Sequence, residues 1–518
     1  MAPISLSTAG ASFFDRPESP ALLEREILPS YIPRCRWFGG KARQPKHFTI
    51  GELLPLGPAD ARLVLVQIDY ADGLAETYQL PLQIAPAAST EHPIAAFNDG
   101  TVLRDALHDE AFRAALLSLI ARASSQAGAH GNLRGHFGHA LPPAAAEGLP
   151  SKVLAVEQSN SSLNYDDQLF VKLFRKLEDG LNPDVEITRF LSDQCGFTHV
   201  PPFAGAISYT REGREPQILA LAVGLVKNDG DAWTQALAAV GQYLALVRDL
   251  EEMPQTQAPQ GLLSTLDDSE ALRKLAGPFA DRVARLGQRT AETHLALASE
   301  PHDPAFAPEP FTGEDQRALS QAVAESARKM FTLLRERATS DPVVSEILAS
   351  EKEVLALASR IGAREVHTAK IRTHGDYHLG QVLSTGDDFI LLDFEGEPQR
   401  SLAERKDKRS PLRDVAGMLR SFHYAAHSGL NEFAAHRDTL TPWAEAWSSL
   451  MARTFLRAWL ETAAGAVFLP PDRDDVALLL HAFLLEKAIY EVGYELNNRP
   501  TWLHIPLRGI LQILASEE

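Results

Sequence analysis

Asp376, Gln381 and Asp393 stand in the stretch THGDYHLGQVLSTGDDFILLDFEG, residues 373–396. His374 and His378 flank the first acid, and Glu395 follows the last. Three chemistries want such residues. The first is a zinc site: His374, Asp376 and His378 are spaced by two and would share one face of a strand. Gly375 and Gly380 argue for a loop instead, and no obvious further ligand set appears. The second is structural, with polar side chains of a tight turn satisfied by backbone, a reading that serves each histidine alone. The third is phosphoryl transfer. It needs an aspartate to accept or orient an acceptor hydroxyl, a carbonyl-type side chain for Mg²⁺, and a carboxylate on the next strand for metal bridging ATP phosphates. Gln381 follows Asp376 by five positions, the kinase catalytic-loop spacing, and Asp393 opens DFEG after the apolar FILL. Mg²⁺ takes oxygen ligands, so Gln in place of Asn is chemically acceptable. A single H-G-D is a weak signal; D-x4-Q, strand, D-F-E is a strong one.

Phosphoryl transfer requires a nucleotide lobe upstream. Lys172 sits in the apolar strand LFVKLF, and Glu186 follows in a segment that Asn182 can cap and Pro183 can start. A strand Lys with a helix Glu is the ion pair that places ATP phosphates in kinases. Glu186 is equally well explained as a first-turn acid favoured by the helix dipole. EQSNSSLNYDDQ, residues 157–168, occupies the position of a Gly-rich loop without any glycine. There Ser159, Asn160, Ser161 and Ser162 offer hydroxyls, an amide and backbone N–H groups to phosphates, or simply make a polar hairpin turn. GxxxxGK[ST] is absent, which excludes a P-loop NTPase. The apolar run ending LAVGLVKNDGDAW fits an interlobe hinge whose backbone near Val226 meets adenine.

An acceptor pocket is also needed. In EKAIYEVGYELNNRPTWLHIPLRGI, residues 486–510, Lys487, Glu491, Tyr494 and Asn498 recur at helical spacing, with Tyr490 and Asn497 beside them. An ordinary amphipathic helix has a purely apolar inner face. This mixture of rings, amides and charges suits a sugar; the competing reading locks the helix to its neighbours, with Arg499 closing salt bridges.

These residues must be positioned by a chain of 518 residues, too long for one core and enough for about three units at roughly 150 residues each. We read a β-rich cap over 1–90, a nucleotide-binding lobe over 91–226, and a mostly helical lobe over 227–518. ARLVLVQIDYA and ETYQLPLQIA, separated by Asp72-Gly73, form a hairpin. Residues 21–33 form a short helix and 109–123 another, and helical periodicity dominates from Trp233 onward. RCRWFGGKARQ has cations and Trp37 that could serve a partner or another domain. Asp414 is expected to cap a helix after the charged, loop-like stretch from Ser401, and also to brace the catalytic loop. The net charge of −18 argues against nucleic acid as the main partner. Two cysteines outside any CxxC imply neither a disulfide framework nor a cysteine metal site. The N-terminus lacks signal-peptide features, and no apolar run approaches the roughly 20 residues of a membrane span. The expectation is a soluble cytoplasmic protein.

In this order, EQSNSS, VKLFRKLEDGLNPDVEI, HGDYHLGQ, LLDFEGEP, RDVAGMLRSF and YELNNRPTWLHIPL resemble bacterial maltokinases, as does RCRWFGGKAR near the start. The resemblance spans roughly residues 20–515. It implies an α+β, bilobal, eukaryotic-protein-kinase-like (aminoglycoside-phosphotransferase-like) fold with an extra N-terminal β-rich cap and a large, mostly α-helical C-lobe. It implies transfer of the γ-phosphate of ATP to the anomeric hydroxyl of maltose, giving maltose 1-phosphate for α-glucan synthesis. Asp376 would be the catalytic base, Gln381 and Asp393 would hold Mg²⁺, and Lys172 would contact ATP phosphates. His374, Lys487, Tyr490, Glu491, Tyr494, Arg499 and Trp502 would lie at or near the disaccharide. A trehalose synthase is the implied partner, supplying maltose. Kinases of another acceptor, such as glucosamine or an aminoglycoside, are the enzyme alternative; a pseudokinase that only binds glycan or trehalose synthase is the non-catalytic one. The segment VGLVKNDGDAW looks shorter than the resemblance leads one to expect.

Overall fold

The computed structural model describes residues 4–89, 93–146, 148–154, 159–250, 263, 270–337 and 342–515. Glu157 and Gln158 of the serine-rich segment lie outside these residues. The chain divides into two compact units, Met1–Val226 and Lys227–Glu518.

The first unit is built on two sheets. In one, the hairpin strands Ala61–Tyr70 and Glu76–Pro86 pair antiparallel, flanked by Pro45–Pro55 and Thr101–Asp105. Side chains of a strand alternate between faces. Val64, Val66 and Ile68 therefore enter one core, with Leu23, Ile27 and Phe38. Leu63 and Leu65 enter the other, with Phe112 and Leu116 of the helix Glu110–Ala121. Burial on both faces explains the nearly continuous apolar run of this strand. This sheet extends beyond residue 90 through Thr101–Asp105 and also takes in Lys176–Leu177. RCRWFGGKARQ is used within this unit: Trp37 packs on Tyr78, Arg175 lies over Trp37, and Arg43 lies over Tyr70.

The second sheet of this unit has the order Ser125–Ala127, Gly131–Phe137, Phe203–Arg211, Gln217–Gly224, Leu169–Leu173, Ser161–Tyr165, Ser151–Val153, antiparallel throughout. Leu163, Val171 and Leu221 bury its inner face. The helix Pro183–Arg189 starts as its sequence dictates: the Asn182 side chain accepts from the Asp184 N–H, and Pro183 occupies the first turn.

The second unit is mostly helical. The hairpin Val382–Thr385 with Asp388–Leu391 interrupts its helices. Around it run Phe279–Leu297, Leu412–Gly429, Arg437–Thr462 and Arg473–Asn498. The helix Leu412–Gly429 buries nearly every side chain, Met418 and Phe422 completely. The stretch after Ser401, expected as a loop, contains the short helix Leu402–Lys406. Ser401 and Glu404 close a reciprocal capping box at its start, which gives a charged segment a defined helix. Among the described residues, no helix is long and apolar enough to cross a membrane.

Candidate active site

In the first unit, Lys172 is the fourth residue of the strand Leu169–Leu173, its Cα opposite Ser162 and Leu221 on the flanking strands. Its Nζ donates to Asp184 Oδ2 at 2.9 Å. Asp184 stands two positions before the expected Glu186. Both stand in the first turn of one helix, where acids suit the dipole, but Asp184 is the buried one. Ser159 and Asn160 precede the strand Ser161–Tyr165, so the serine-rich segment divides. Ser161 and Ser162 are strand residues rather than loop, and Ser162 is buried. The turn of the following hairpin falls instead at Asp166 and Asp167, both at positive φ. Arg175 ties the two parts together, its Nε donating to Ser161 Oγ at 2.8 Å and its N–H to Asn160 Oδ1 at 3.4 Å. Val226 follows the strand Gln217–Gly224, and its neighbour Leu225 donates its N–H to the Gln168 carbonyl at 2.8 Å.

In the second unit, the loop His374–His378 leads directly into the hairpin. Gly375 has φ of +86°, and a Cβ there would stand 3.2 Å from the Gly396 Cα, so the two arms of the site approach at glycine. Behind the loop, the helix Leu412–Gly429 comes so close that a Cβ on Gly417 would lie 2.5 Å from the Tyr377 carbonyl oxygen. Asp414 is the tether. It accepts the His374 N–H on Oδ2 at 2.7 Å and the Gly375 N–H on Oδ1 at 3.0 Å. Burial would raise this carboxyl, but its hydrogen bonds with His294 and the Gly375 N–H outweigh burial and hold it below the usual range. Asp414 therefore braces the loop. It does not cap its helix, whose N-cap is Pro411 with no side-chain cap.

Asp376, in front of the loop, faces the helix Arg473–Asn498. Lys487 Nζ lies 3.3 Å from Asp376 Oδ1 and 3.5 Å from Glu397 Oε1. Glu397 also receives Arg413 at 3.0 Å and Arg400 at 2.6 Å. Arg413 in turn donates to the Gly375 carbonyl at 3.0 Å and to Glu486 at 3.4 Å. Burial alone would raise Glu397, yet Arg413, Lys487 and Arg400 bring its pKa down to about 2. Burial would likewise lower Lys487, but Asp376, Glu397 and Glu491 reverse this and raise it. Asp376, Glu397, Glu486, Lys487 and Tyr490 line one small pocket. Glu397, Arg413 and Arg400 are absent from the sequence-based site. The available signal was the second glutamate of DFEGEP, one residue past the DFEG read for metal.

Gln381 Nε2 donates to Asp393 Oδ2 at 2.9 Å, so the two oxygen-bearing side chains assigned to metal are adjacent. Asp393 holds a left-handed φ of 68°, a conformation uncommon for a non-glycine residue and often found at functional sites. His378 accepts the Gly380 N–H on Nδ1 at 3.1 Å, and burial lowers its pKa, so the neutral ring serves as a loop clamp.

Beside Lys487, the expected sugar residues separate into two groups. His374 is buried, bonded through Nε2 to the Leu392 carbonyl at 3.0 Å and packed on Phe394; it links the loop to the strand end. Glu491 is also buried and accepts Arg420 Nε at 3.0 Å and Nη2 at 2.8 Å. These two carry structural contacts, the competing reading of their residue types. Tyr490, Tyr494, Arg499 and Trp502 form a ladder at the helix end. Tyr490 and Tyr494 stack at 6.5 Å, and Arg499 lies 5.3 Å from the Tyr494 ring and 4.5 Å from the Trp502 ring. Glu495 holds Arg499 in place by two hydrogen bonds, at 3.0 and 2.7 Å.

The fold is that of the aminoglycoside-phosphotransferase-like kinases. Residues 31–109 match the maltokinase N-terminal cap domain family. A glucosamine kinase of Mycolicibacterium smegmatis is 28% identical over 359 residues, covering 68% of this chain and 77% of that protein. A glucosamine kinase of Streptacidiphilus jiangxiensis is 25% identical over 367 residues, covering 70% and 73%. A solved structure of glucosamine kinase in complex with glucosamine, ADP and inorganic phosphate shares the fold, with a TM-score of 0.64, 20% identity, and coverage of 94% of this chain and 98% of that one. The cap-domain match and the kinase relatives support a maltokinase-like kinase, in line with the sequence resemblance.

Proposed function

We propose that this protein is an ATP-dependent maltose 1-kinase. The observation that carries the reading is Asp376, held against Lys487 in a pocket whose helix continues into the Tyr490–Tyr494–Arg499–Trp502 ladder. The anomeric oxygen of the sugar forms a bond to the γ-phosphorus while the bond from that phosphorus to the β-phosphate oxygen breaks and ADP leaves. Asp376 takes the hydroxyl proton, and Lys487 fixes its carboxylate. The ladder supplies ring faces of the kind a sugar stacks on. Lys172, braced by Asp184, contacts ATP phosphates with Ser159, Asn160 and the start of the Ser161–Ser162 strand, while Glu186 supports that helix and backbone near Val226 meets adenine. Gln381 and Asp393 fit Mg²⁺ because an amide oxygen and a carboxylate are the hard donors it takes. Bound Mg²⁺ would neutralise phosphate charge. Trehalose synthase is the partner this reading implies.

A second reading, glucosamine as acceptor, is favoured by the names of the two relatives above. An ammonium needs an available carboxylate, whereas Glu397 and Glu486 in this pocket already receive Arg413 and Arg400. The test is an acceptor screen with ATP, following ADP release and identifying the product by ³¹P NMR. Maltose 1-phosphate is the expected product. Inert maltose beside rapid phosphorylation of glucosamine would overturn the maltose reading.

A further inference from the structure

Asp414 meets the catalytic loop on one side and His294 on the other. His294 belongs to the helix Phe279–Leu297 and is buried, its ring edge-on to Trp459 at 5.9 Å and to Phe468 at 6.2 Å. Trp459, on the helix Arg437–Thr462, is fully buried and donates its indole N–H to His294 Nδ1 at 3.0 Å. Indole nitrogen is a donor only, so Nδ1 of His294 is an acceptor and its proton resides on Nε2. That Nε2 lies 3.2 Å from Asp414 Oδ2, the same oxygen that accepts the His374 N–H. The chain of hydrogen bonds runs from Trp459 through His294 to Asp414, which also accepts from the two loop amides next to Asp376.

We propose that Trp459 and His294 are positioning residues for the reaction: the indole selects the Nε2–H tautomer of His294, which orients the Asp414 carboxylate so that it holds the His374 and Gly375 amides and with them Asp376. With the other tautomer, His294 would turn a lone pair toward a carboxylate, and two acceptors repel. Asp414 would then rotate or lose one amide, and the loop would shift. A displacement of about 1 Å at a reacting group costs on the order of 100-fold in rate. Both residues are remote from the motif, on helices whose sequence periodicity marks them only as core positions. The inference rests on Asp376 as the base of the phosphoryl-transfer reading.

The test compares Trp459→Phe, His294→Leu and His294→Gln with the full-length chain by steady-state kinetics and by hydrogen exchange of peptides spanning 373–378. Trp459→Phe keeps the ring and removes the donor; His294→Gln restores a donor near the Nε2 position. His294→Leu is expected to lose about 100-fold in kcat with the KM for ATP nearly unchanged, and to exchange faster in the loop. His294→Gln is expected to recover most of both losses, and Trp459→Phe to fall between. Loop exchange as slow in folded His294→Leu and Trp459→Phe as in the parent overturns the proposal. So does a His294→Gln no better than His294→Leu. The exchange readout does not depend on turnover, so a parent chain without sugar-dependent ADP release would overturn the phosphoryl-transfer reading separately.

Discussion

Lys487 Nζ bridges two carboxylates, lying 3.3 Å from Asp376 and 3.5 Å from Glu397. The lysine assigned to the sugar from sequence thus contacts Asp376 directly. Asp376→Asn is expected to lower kcat by about 10²–10⁴-fold, the range for loss of a positioned general base, with ATP affinity retained. Lys487→Met is expected to lower kcat more than it raises the KM for sugar. A pure KM effect, measured by initial rates over a sugar titration, would return Lys487 to substrate binding alone. Because its pKa is raised, the stabilisation from Lys487 is complete below about 10.4, the ordinary lysine value, and lost only as pH rises through the higher folded value.

Glu397 receives three cations in a buried setting. Glu397→Gln leaves Arg413, Arg400 and Lys487 facing a neutral amide, and is expected to destabilise the fold by about 3 kcal/mol, the scale for breaking a buried charge pair. Its pKa of about 2 lies below the ordinary value, so its contribution is present above about 4.3 and disappears as pH falls toward 2. In denaturant titrations the gap between parent and variant should be narrower near pH 3 than at neutral pH; an equal gap at both values would remove Glu397 from this role.

Glu491 and Tyr494 should respond in opposite ways. Glu491 is 8% exposed and bonded to Arg420, whereas Tyr494 is 39% exposed. Glu491→Ala is expected to lower the melting temperature markedly. Tyr494→Ala is expected to leave melting almost unchanged while raising the KM for the sugar. Unchanged KM in folded Tyr494→Ala would exclude the ladder from acceptor binding.

His423 and His427 make the fold sensitive to acid. Their rings lie 4.5 Å apart; burial, with the nearby Arg420, His504 and Arg508, holds His427 at about 3 and His423 well below its usual value. A histidine that is harder to protonate when folded stabilises fully above about 6.5 and loses that advantage as pH falls toward 3. His427→Phe should therefore reduce the loss of stability between neutral pH and pH 4. An unchanged acid limb in chemical denaturation would argue that carboxylates alone govern it.

Asp393→Ala should abolish the rise in melting temperature that ATP with Mg²⁺ produces in the parent, since only ligand binding to the native state raises stability this way. Full retention of the Mg²⁺-dependent rise would remove Asp393 from the metal.

Much of the site was legible because its parts are local in sequence. Gln381 and Asp393 flank a short hairpin, and a hairpin brings its ends together whatever surrounds it. Asn182 and Pro183 likewise start their helix by their own backbone preferences. Helical spacing put Lys487, Tyr490 and Tyr494 near one another on a single helix.

Residue type and spacing by themselves determined the kinase-like order of elements, the hairpin and the composition of the acceptor helix. Only the tertiary structure decided which acid each cation meets. Lys172 found Asp184, Glu491 went to Arg420, and Glu397 gathered three cations. Buried charges pair according to distance and desolvation, and both depend on how separate elements pack. Sequence periodicity names the face of a helix, but the neighbour waiting on that face is supplied by the fold.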